Sequence, residues 1–371
     1  MNNRANYFSK HIDYKRKYLD LKLKGGENIN KNINKNININ KDGIKGVIWG
    51  VLAGDSLGTR YEFMESSEAT IQLNKDLEIN NKLQLLGGGP FNLKPGQISD
   101  DSEMTLCLLL SIIILKKYVQ ADVALNYIKW FKSSPVDIGL TISKSLKTRK
   151  ESTNYKDMIE NSNLLNLSSL SNGVLMRITP LAIYSLYISD TELKTYVNEE
   201  CDLTHPNPII KDASYIYCIA IKYLLLNKNR KDVYNMCVDL IKTPRLKIVL
   251  NDSNNRAEPI YLLTKDSNDK YVNTDDKQYQ GYVGIALQNA FYELLHGNTF
   301  YESMLNIIRR GGDVDTNCSI AGGLLGAFYG YKNIEPDWIK LIKNTDRGVE
   351  FISPSQTDTY IEKLYKVIQS Q

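Results

Sequence analysis

Histidine is scarce in this chain: His11, His205 and His296 are the three among 371 residues. Zinc centres lean on histidine and cysteine ligands, so this scarcity argues against one. The five cysteines, Cys107, Cys201, Cys218, Cys237 and Cys318, are odd in number and form no Cys-x-x-Cys pair. Most lie in apolar helical runs, which points to reduced core thiols in a reducing compartment. Long apolar runs are missing too. The longest, Leu106 to Leu115, has ten residues and stops at Lys116–Lys117, too short to span a bilayer. The opening "MNNRANYFSKHIDYKRKYLD" has no apolar h-region, so a cytoplasmic, non-membrane protein is expected.

Charge of one sign is absent from most of the chain. The net charge is +4, but residues 1–42 hold ten Lys/Arg against four Asp/Glu, a net of +6. The rest therefore carries −2, and a nucleic-acid partner is not expected, since the basic footprint belongs to the tail alone. Within that tail, residues 7–23 have a basic amphipathic pattern. The segment "GGENINKNINKNININK" at 25–41 is a low-complexity Asn/Ile/Lys linker. Residues 1–42 are expected to form a flexible basic segment and linker, and residues 43–371 one domain.

Alternating strand patterns are scarce as well, and helical periods replace them. Apolar residues recur with helical spacing at about 101–118, 121–132, 174–188, 209–226, 230–241, 282–296, 300–309, 316–330 and 356–369. Connections fall near 64–95, 145–170 and 242–280. In "IKGVIWGVLAGDSLG", glycines at 46, 50, 54 and 58 recur every four residues. On a helix they form a smooth stripe that lets a neighbour approach closely. The expected fold class is a compact all-α domain.

Two acidic turns carry the chemistry. "GQISDDS" sets Asp100 and Asp101 between Ser99 and Ser102, at the mouth of an apolar helix. "RRGGDVDTNCSIAGG" repeats the plan with Asp313, Asp315 and Thr316. Either turn alone reads as helix capping or an Asx-turn. Together they suit hard cations, which take carboxylate, hydroxyl and water oxygens. Four carboxylates converging within ~4–5 Å would repel by roughly 3–4 kcal/mol per pair at an effective dielectric near 20. Protons or cations must then offset them.

Three further segments have plainer readings beside functional ones. In "GDSLGTRYEF", Gly58 ends a helix and Glu62 sits in solvent, unless Glu62 joins the acids. In "SNGVLMRITPLAIY", Asn172–Gly173 makes a turn into a helix with Arg177 on the surface. In "LTHPNP", His205 is a structural histidine or a site residue.

These elements, in this order, resemble the ADP-ribosylglycohydrolase family. The matching segments are "GVIWGVLAGDSLGTRYEF", "GQISDDSEMTLCL", "SNGVLMRITPLA", "LTHPNPIIKDASYIYCIAI", "GYVGIALQNAFYELL" and "RRGGDVDTNCSIAGGLLGAFYG". They run from about 43 to 350. The resemblance implies an all-α fold with a central helical bundle and two divalent cations, Mg²⁺ or Mn²⁺. Its metal ligands fall on Ser99, Asp100, Asp101, Asp313, Asp315 and Thr316. Catalysis falls on Glu62, Asp101 and Asp315. Substrate contacts fall on Ser171, Asn172, Gly173, Met176 and His205, with Tyr282 stacking on adenine. Four positions depart from the usual pattern: Ser99 and Ser102 where threonine is usual, Val314 where threonine is common, and Ser171 where glycine is common. None removes a proposed ligand oxygen.

The implied reaction is metal-dependent hydrolysis of the glycosidic bond at ribose C1″ of an ADP-ribosylated protein or small molecule, releasing ADP-ribose. The enzyme is expected to act as a monomer. Two rivals stay open at this point. Two metals among acids also suit a phosphoesterase acting on the diphosphate. The family includes a lens crystallin, so the fold also admits a non-catalytic ADP-ribose binder or structural protein.

Overall fold

Glycine spacing decides the centre of this molecule. The computed structural model describes residues 39–80, 82–147, 152–255, 264–265, 271–272 and 280–370. The expected amphipathic segment at 7–23 and most of the 25–41 linker lie outside the described residues. Sixteen α-helices occur among the described residues, numbered here α1 to α16 in chain order. They are α1 Lys41–Gly58, α2 Ser66–Asn80, α3 Asp100–Leu115, α4 Gln120–Lys132, α5 Leu140–Lys147, α6 Tyr155–Leu165, α7 Thr179–Tyr184 and α8 Asp190–Asp202. There follow α9 Pro208–Leu225, α10 Arg230–Leu240, α11 Pro244–Asn255, α12 Val283–His296, α13 Phe300–Arg310, α14 Val314–Tyr329, α15 Pro336–Asn344 and α16 Thr357–Gln369. The sheet content among the described residues is one antiparallel pair, β1 Thr264–Lys265 with β2 Tyr271–Val272. Apart from that pair, the described residues are thus all-α, as the periodicity predicts.

Helix α1 lies antiparallel to α14, backbone against backbone. A Cβ placed on Gly46 would strike the carbonyl of Gly326, one on Gly50 that of Gly322, and one on Gly54 that of Cys318, all well under 3.0 Å. At the end of the stripe, a Cβ on Gly58 would strike the Cα of Asp315. The stripe therefore delivers the C-terminus of α1 to the N-terminus of α14. Both helices are buried on nearly every face, as are α3, α9 and α12, which is the mark of a core helix. Around them pack amphipathic helices such as α13, α15 and α16, with one apolar side inward. Burying each such Leu or Ile contributes roughly 1.5–3 kcal/mol relative to exposure.

Boundaries differ from the sequence expectation in instructive places. Helix α1 starts at Lys41, not Gly43, because the Asn40 side chain accepts the Gly43 amide at 2.8 Å and caps it. The helix expected over 174–188 begins at Thr179, with Pro180 in its first turn. Residues 171–177 form turns instead. The expected connections contain helices: α2 in the first, α6 in the second and α11 in the third. Their weaker apolar stripes leave many polar residues exposed, which hid their period. All five cysteines are free and buried. No described helix is long and apolar enough to cross a membrane.

The α1–α14 contact makes a direct prediction. Alanine at a helical glycine gains up to ~1 kcal/mol of propensity, while overpacking of ~1–3 kcal/mol or more opposes it. At Gly50 the obstacle is backbone that cannot rotate away, so overpacking wins. Urea denaturation of Gly50→Ala should show a loss of at least about 2 kcal/mol. Gly139→Ala, whose Cβ would meet only Ile142 Cδ1 at 3.9 Å, should change stability by less than about 1 kcal/mol.

Candidate metal centre

The site assembles from four chain segments that end beside the α1–α14 junction. Ser99 precedes α3 in N-cap geometry, yet its side chain makes no capping bond. It donates instead to Asp55 Oδ1 at 2.7 Å. Asp55, near the end of α1, also accepts the Ser99 amide at 3.0 Å and the Ser102 amide at 3.2 Å. An acid from another helix thus satisfies the first turn of α3. Asp100 and Asp101 are freed from capping. Burial pushes the Asp55 carboxyl up to about 6, against the pull of its serine hydrogen bonds.

Asp313 stands at the N-cap of α14 without a capping bond of its own. Its Oδ2 accepts from the Asn172 side-chain amide at 2.7 Å. Asp315 Oδ1 accepts the Thr316 amide at 2.8 Å. The turn before α14 is built on Gly311 and Gly312, both at positive φ, where glycine is unstrained. There the Gly312 carbonyl accepts the Phe63 amide at 2.7 Å, and the Gly312 amide donates to Met64 O at 2.8 Å. This strap holds Glu62 against the acids. Behind it, Arg60 grips Asp76 through Nε and Nη2, and Tyr61 donates to the same carboxylate at 2.8 Å.

Glu62 is therefore not a solvated residue after a helix end. It is 6% exposed, and Glu62, Asp137 and Asp315 each place an oxygen within 4.8 Å of the others. Asp137 is half-buried, while Ser99, Asp100, Asp101, Asp313, Asp315 and Thr316 are buried like Glu62. Asp100 Oδ2 accepts the Gly139 amide at 3.3 Å, which ties the Asp137 loop to α3. The acids push one another's pKa values up. Burial comes first for Glu62, then repulsion from Asp137, Asp313, Asp100 and Asp55, taking its carboxyl to about 10. Asp101 and Asp315 are raised well above the usual range by burial and by neighbouring carboxylates. Asp137 rises to about 6, chiefly by burial.

Two buried oxygens, Glu62 Oε2 and Asp101 Oδ1, have no hydrogen-bond partner. An orphaned buried acceptor is costly, about 1–3 kcal/mol or more when charged. Mutually repelling carboxylates, hydroxyls and unfilled acceptors form the all-oxygen donor set of a hard divalent cation. The residues present fit such an ion.

Asp137 is the member that sequence reasoning missed. It is a single acid in "SSPVDIGL", without the paired acids that mark the other two turns. The available signal was a Pro-x-Asp-x-Gly turn between two helices. The loop before it turns through Ser134 at φ 55.

The expected substrate-contacting residues also gather here, with one correction. Ser171 and Tyr282 form an antiparallel bridge, and the Asn172 amide donates to Gly281 O at 3.0 Å. The Tyr282 ring lies under the Arg245 guanidinium, 5.0 Å from its centroid. Met176 is buried, and its carbonyl accepts from Thr105 Oγ1 at 3.1 Å. Gly173 packs on His205, whose Nε2 meets Ser171 Oγ at 2.8 Å. Burial and the nearby Arg177 charge hold His205 well below its usual pKa, hence neutral. Arg177 itself is not on the surface. It is fully buried, donating to Glu200 Oε1, Gly173 O and Thr204 Oγ1, each at 2.8 Å. An ion pair was its way into the core; the sequence shows a lone arginine because Glu200 lies one helix further on.

Comparison with known proteins follows the same lines. Residues 37–371 match the family described as ADP-ribosylglycohydrolase. A protein of Acanthamoeba polyphaga mimivirus, provisionally described as an ADP-ribosyl glycohydrolase, is 31% identical over 307 residues, covering 79% of this chain and 88% of its own length. The ADP-ribosyl-[dinitrogen reductase] glycohydrolase of Rhodospirillum rubrum is 28% identical over 298 residues, covering 80% and 89%. The ADP-ribosylarginine hydrolase of Pseudomonas putida (strain GB-1) is 24% identical over 291 residues, covering 78% and 71%. A solved structure titled as an ADP-ribosylglycohydrolase-related protein complex shares the fold. Its TM-score is 0.67 at 21% identity, over 88% of this chain and 98% of that one.

The buried Arg177–Glu200 pair is open to test. Removing one partner of a buried ion pair leaves an uncompensated charge and costs about 3–5 kcal/mol. Chemical denaturation of Arg177→Met should show a loss of that size. Arg177→Met combined with Glu200→Leu should recover a large part of it, because no charge is then stranded.

Proposed function

We propose, from the premise that this chain belongs to the ADP-ribosylglycohydrolase family, that it hydrolyses the bond between ribose C1″ of ADP-ribose and a protein side chain or small molecule. The observation that carries this reading is the meeting of Glu62, Asp137 and Asp315 within 4.8 Å, beside Asp101 with its orphaned oxygen. Ser99, Asp100, Asp101, Asp313, Asp315 and Thr316 would hold two divalent cations, Mg²⁺ or Mn²⁺, with Asp137 at their edge. Such a pair supplies Lewis acidity and a template for ribose hydroxyls and water.

The chain's own groups do the rest. In the reaction the C1″–N or C1″–O bond breaks, a water oxygen bonds to C1″, and a proton passes to the leaving atom. Glu62, buried against Asp315 and Asp137, is the group best placed to move that proton. Asp101 and Asp315 orient the attacking side. The Asn172–Gly173 turn, fixed to Asp313, offers backbone amides to the diphosphate. Ser171, His205 and Met176 shape that turn, and Tyr282 supplies an aromatic wall for adenine. The names of the bacterial relatives support ADP-ribosylated protein side chains as the substrate class.

The deciding assay offers arginine- and serine-linked ADP-ribosyl peptides to the purified protein with Mg²⁺ or Mn²⁺ and identifies the products. Free ADP-ribose is expected from at least one linkage. In Glu62→Gln its release should slow by about 10²-fold or more, with ADP-ribose still bound. AMP as product would replace this reading with a phosphoesterase, and ADP-ribose binding without turnover would replace it with a non-catalytic binder.

Metal binding is checked separately by thermal unfolding. A ligand that binds only the folded state at ~100 times its Kd stabilises by about 2.7 kcal/mol. Mg²⁺ or Mn²⁺ should therefore raise the wild-type Tm by several degrees. Asp101→Asn should raise the metal-free Tm, because one repelling carboxylate is gone, and should abolish most of the metal-dependent rise.

A further inference from the structure

One hydrogen-bonded chain leads from the core to the rim of the site. Its inner end is Arg177, whose guanidinium can only donate. Arg177 Nη2 donates to Thr204 Oγ1 at 2.8 Å, and Glu200, Gly173 O and the Tyr127 ring hold the guanidinium in place. Thr204 Oγ1 is 2.8 Å from His205 Nδ1, and His205 Nε2 is 2.8 Å from Ser171 Oγ. Ser171 Oγ donates to Thr141 Oγ1 at 3.2 Å, and Thr141 Oγ1 meets Ser169 Oγ at 2.9 Å. Arg177, Thr204 and His205 are fully buried, while Ser171, Thr141 and Ser169 are partly open to solvent.

The direction of the bonds from Arg177 to Ser171 follows from the first donor. Thr204 Oγ1 already accepts a hydrogen bond from the guanidinium. If His205 Nδ1 also donated to it, the buried Thr204 hydroxyl hydrogen would be stranded, a penalty of the unsatisfied-donor kind. Thr204 therefore donates to Nδ1, which must be the bare nitrogen, and the ring proton sits on Nε2. His205 Nε2–H then donates to Ser171 Oγ, so the Ser171 hydrogen points outward.

We propose that Arg177 and Thr204 are positioning residues that lock His205 in its Nε2–H tautomer, so that the Ser171 hydrogen is turned outward to Thr141 Oγ1, where an acceptor-rich substrate group such as a phosphate oxygen can take the place of Thr141 as its acceptor. The identity of that substrate rests on the proposed ADP-ribosyl reading; the bond order rests only on the chain itself. Loss of the Thr204 hydroxyl frees Nδ1. The opposite tautomer then becomes accessible, turns Nε2 into an acceptor and draws the Ser171 hydrogen inward.

The test uses the full chain with ¹⁵N-labelled histidine and calorimetric binding of ADP-ribose. His11→Gln and His296→Gln variants assign the His205 signals. In the wild type and in Thr204→Ser, long-range ¹H–¹⁵N correlations should show the His205 proton on Nε2. In Thr204→Val the ring pattern should shift toward Nδ1–H, and ADP-ribose affinity should fall about three- to tenfold, the range for one net hydrogen bond. Thr204→Ser should restore both. A proton on Nδ1 in the wild type would overturn the proposal, as would a Thr204→Val protein with unchanged ring pattern and affinity. Should ADP-ribose fail to bind the wild type, the functional reading falls, and the wild-type tautomer by itself still upholds or overturns the relay.

Discussion

The contact of α1 on α14, backbone to backbone, is the constraint on which the rest depends. Four glycines on one helix and two on the other remove the side chains that normally hold helices 8–10 Å apart. Because the two run antiparallel, the end of α1 arrives at the start of α14. Glu62 thereby reaches Asp315, while Asp55 meets the start of α3. A looser pairing would fill the core equally well with larger side chains, but it would pull these acids apart. The close packing is therefore a structural requirement of the site as well as of the core.

That closeness carries an electrostatic penalty. Burial raises the pKa values of Asp55, Glu62, Asp100, Asp101, Asp137, Asp313 and Asp315, and neighbouring carboxylates raise those of Glu62, Asp100, Asp101, Asp137 and Asp315 further. Neutral donors relieve part of it: the Ser99, Ser102, Gly139 and Thr316 amides and the Asn172 side chain. Each is delivered by a helix start or a turn, where backbone N–H groups have no intrahelical partner. The same amides that would cap ordinary helices here hold carboxylates in place. What they leave unsatisfied, above all Glu62 Oε2 and Asp101 Oδ1, belongs to the oxygen set that suits a cation.

A second, cationic centre lies on the other side of the Asn172–Gly173 turn. Arg177 and Glu200 form a fully buried pair, with Tyr127 donating to Glu200 at 2.8 Å. Such pairs add little net stability, since desolvation offsets most of the attraction. Their effect is geometric: one guanidinium fixes Gly173, Thr204 and Glu200 at once. The turn is thus held by Asp313 on one side and by Arg177 on the other.

Much of this was determined by the sequence itself, because the signals are local. The four-residue glycine spacing foretold a close helix partner, the paired acids at 100–101 and 313–315 marked two helix mouths whose carboxylates are buried, and the 3.6-residue period foretold an all-α fold. Tertiary structure decided what depends on distant partners. Whether Ser99 caps its helix or serves Asp55 depends on a residue 44 positions away. Glu62 reads as solvated until the Gly312 strap buries it, and Arg177 reads as exposed until Glu200 neutralises it. Asp137 is marked locally only by its Pro-x-Asp-x-Gly turn, since a lone acid in a loop acquires meaning only when folding sets it against other carboxylates. Periodicity reports which face of a helix avoids water; it cannot report which buried charge meets which, because that is fixed by contacts between segments far apart in the chain.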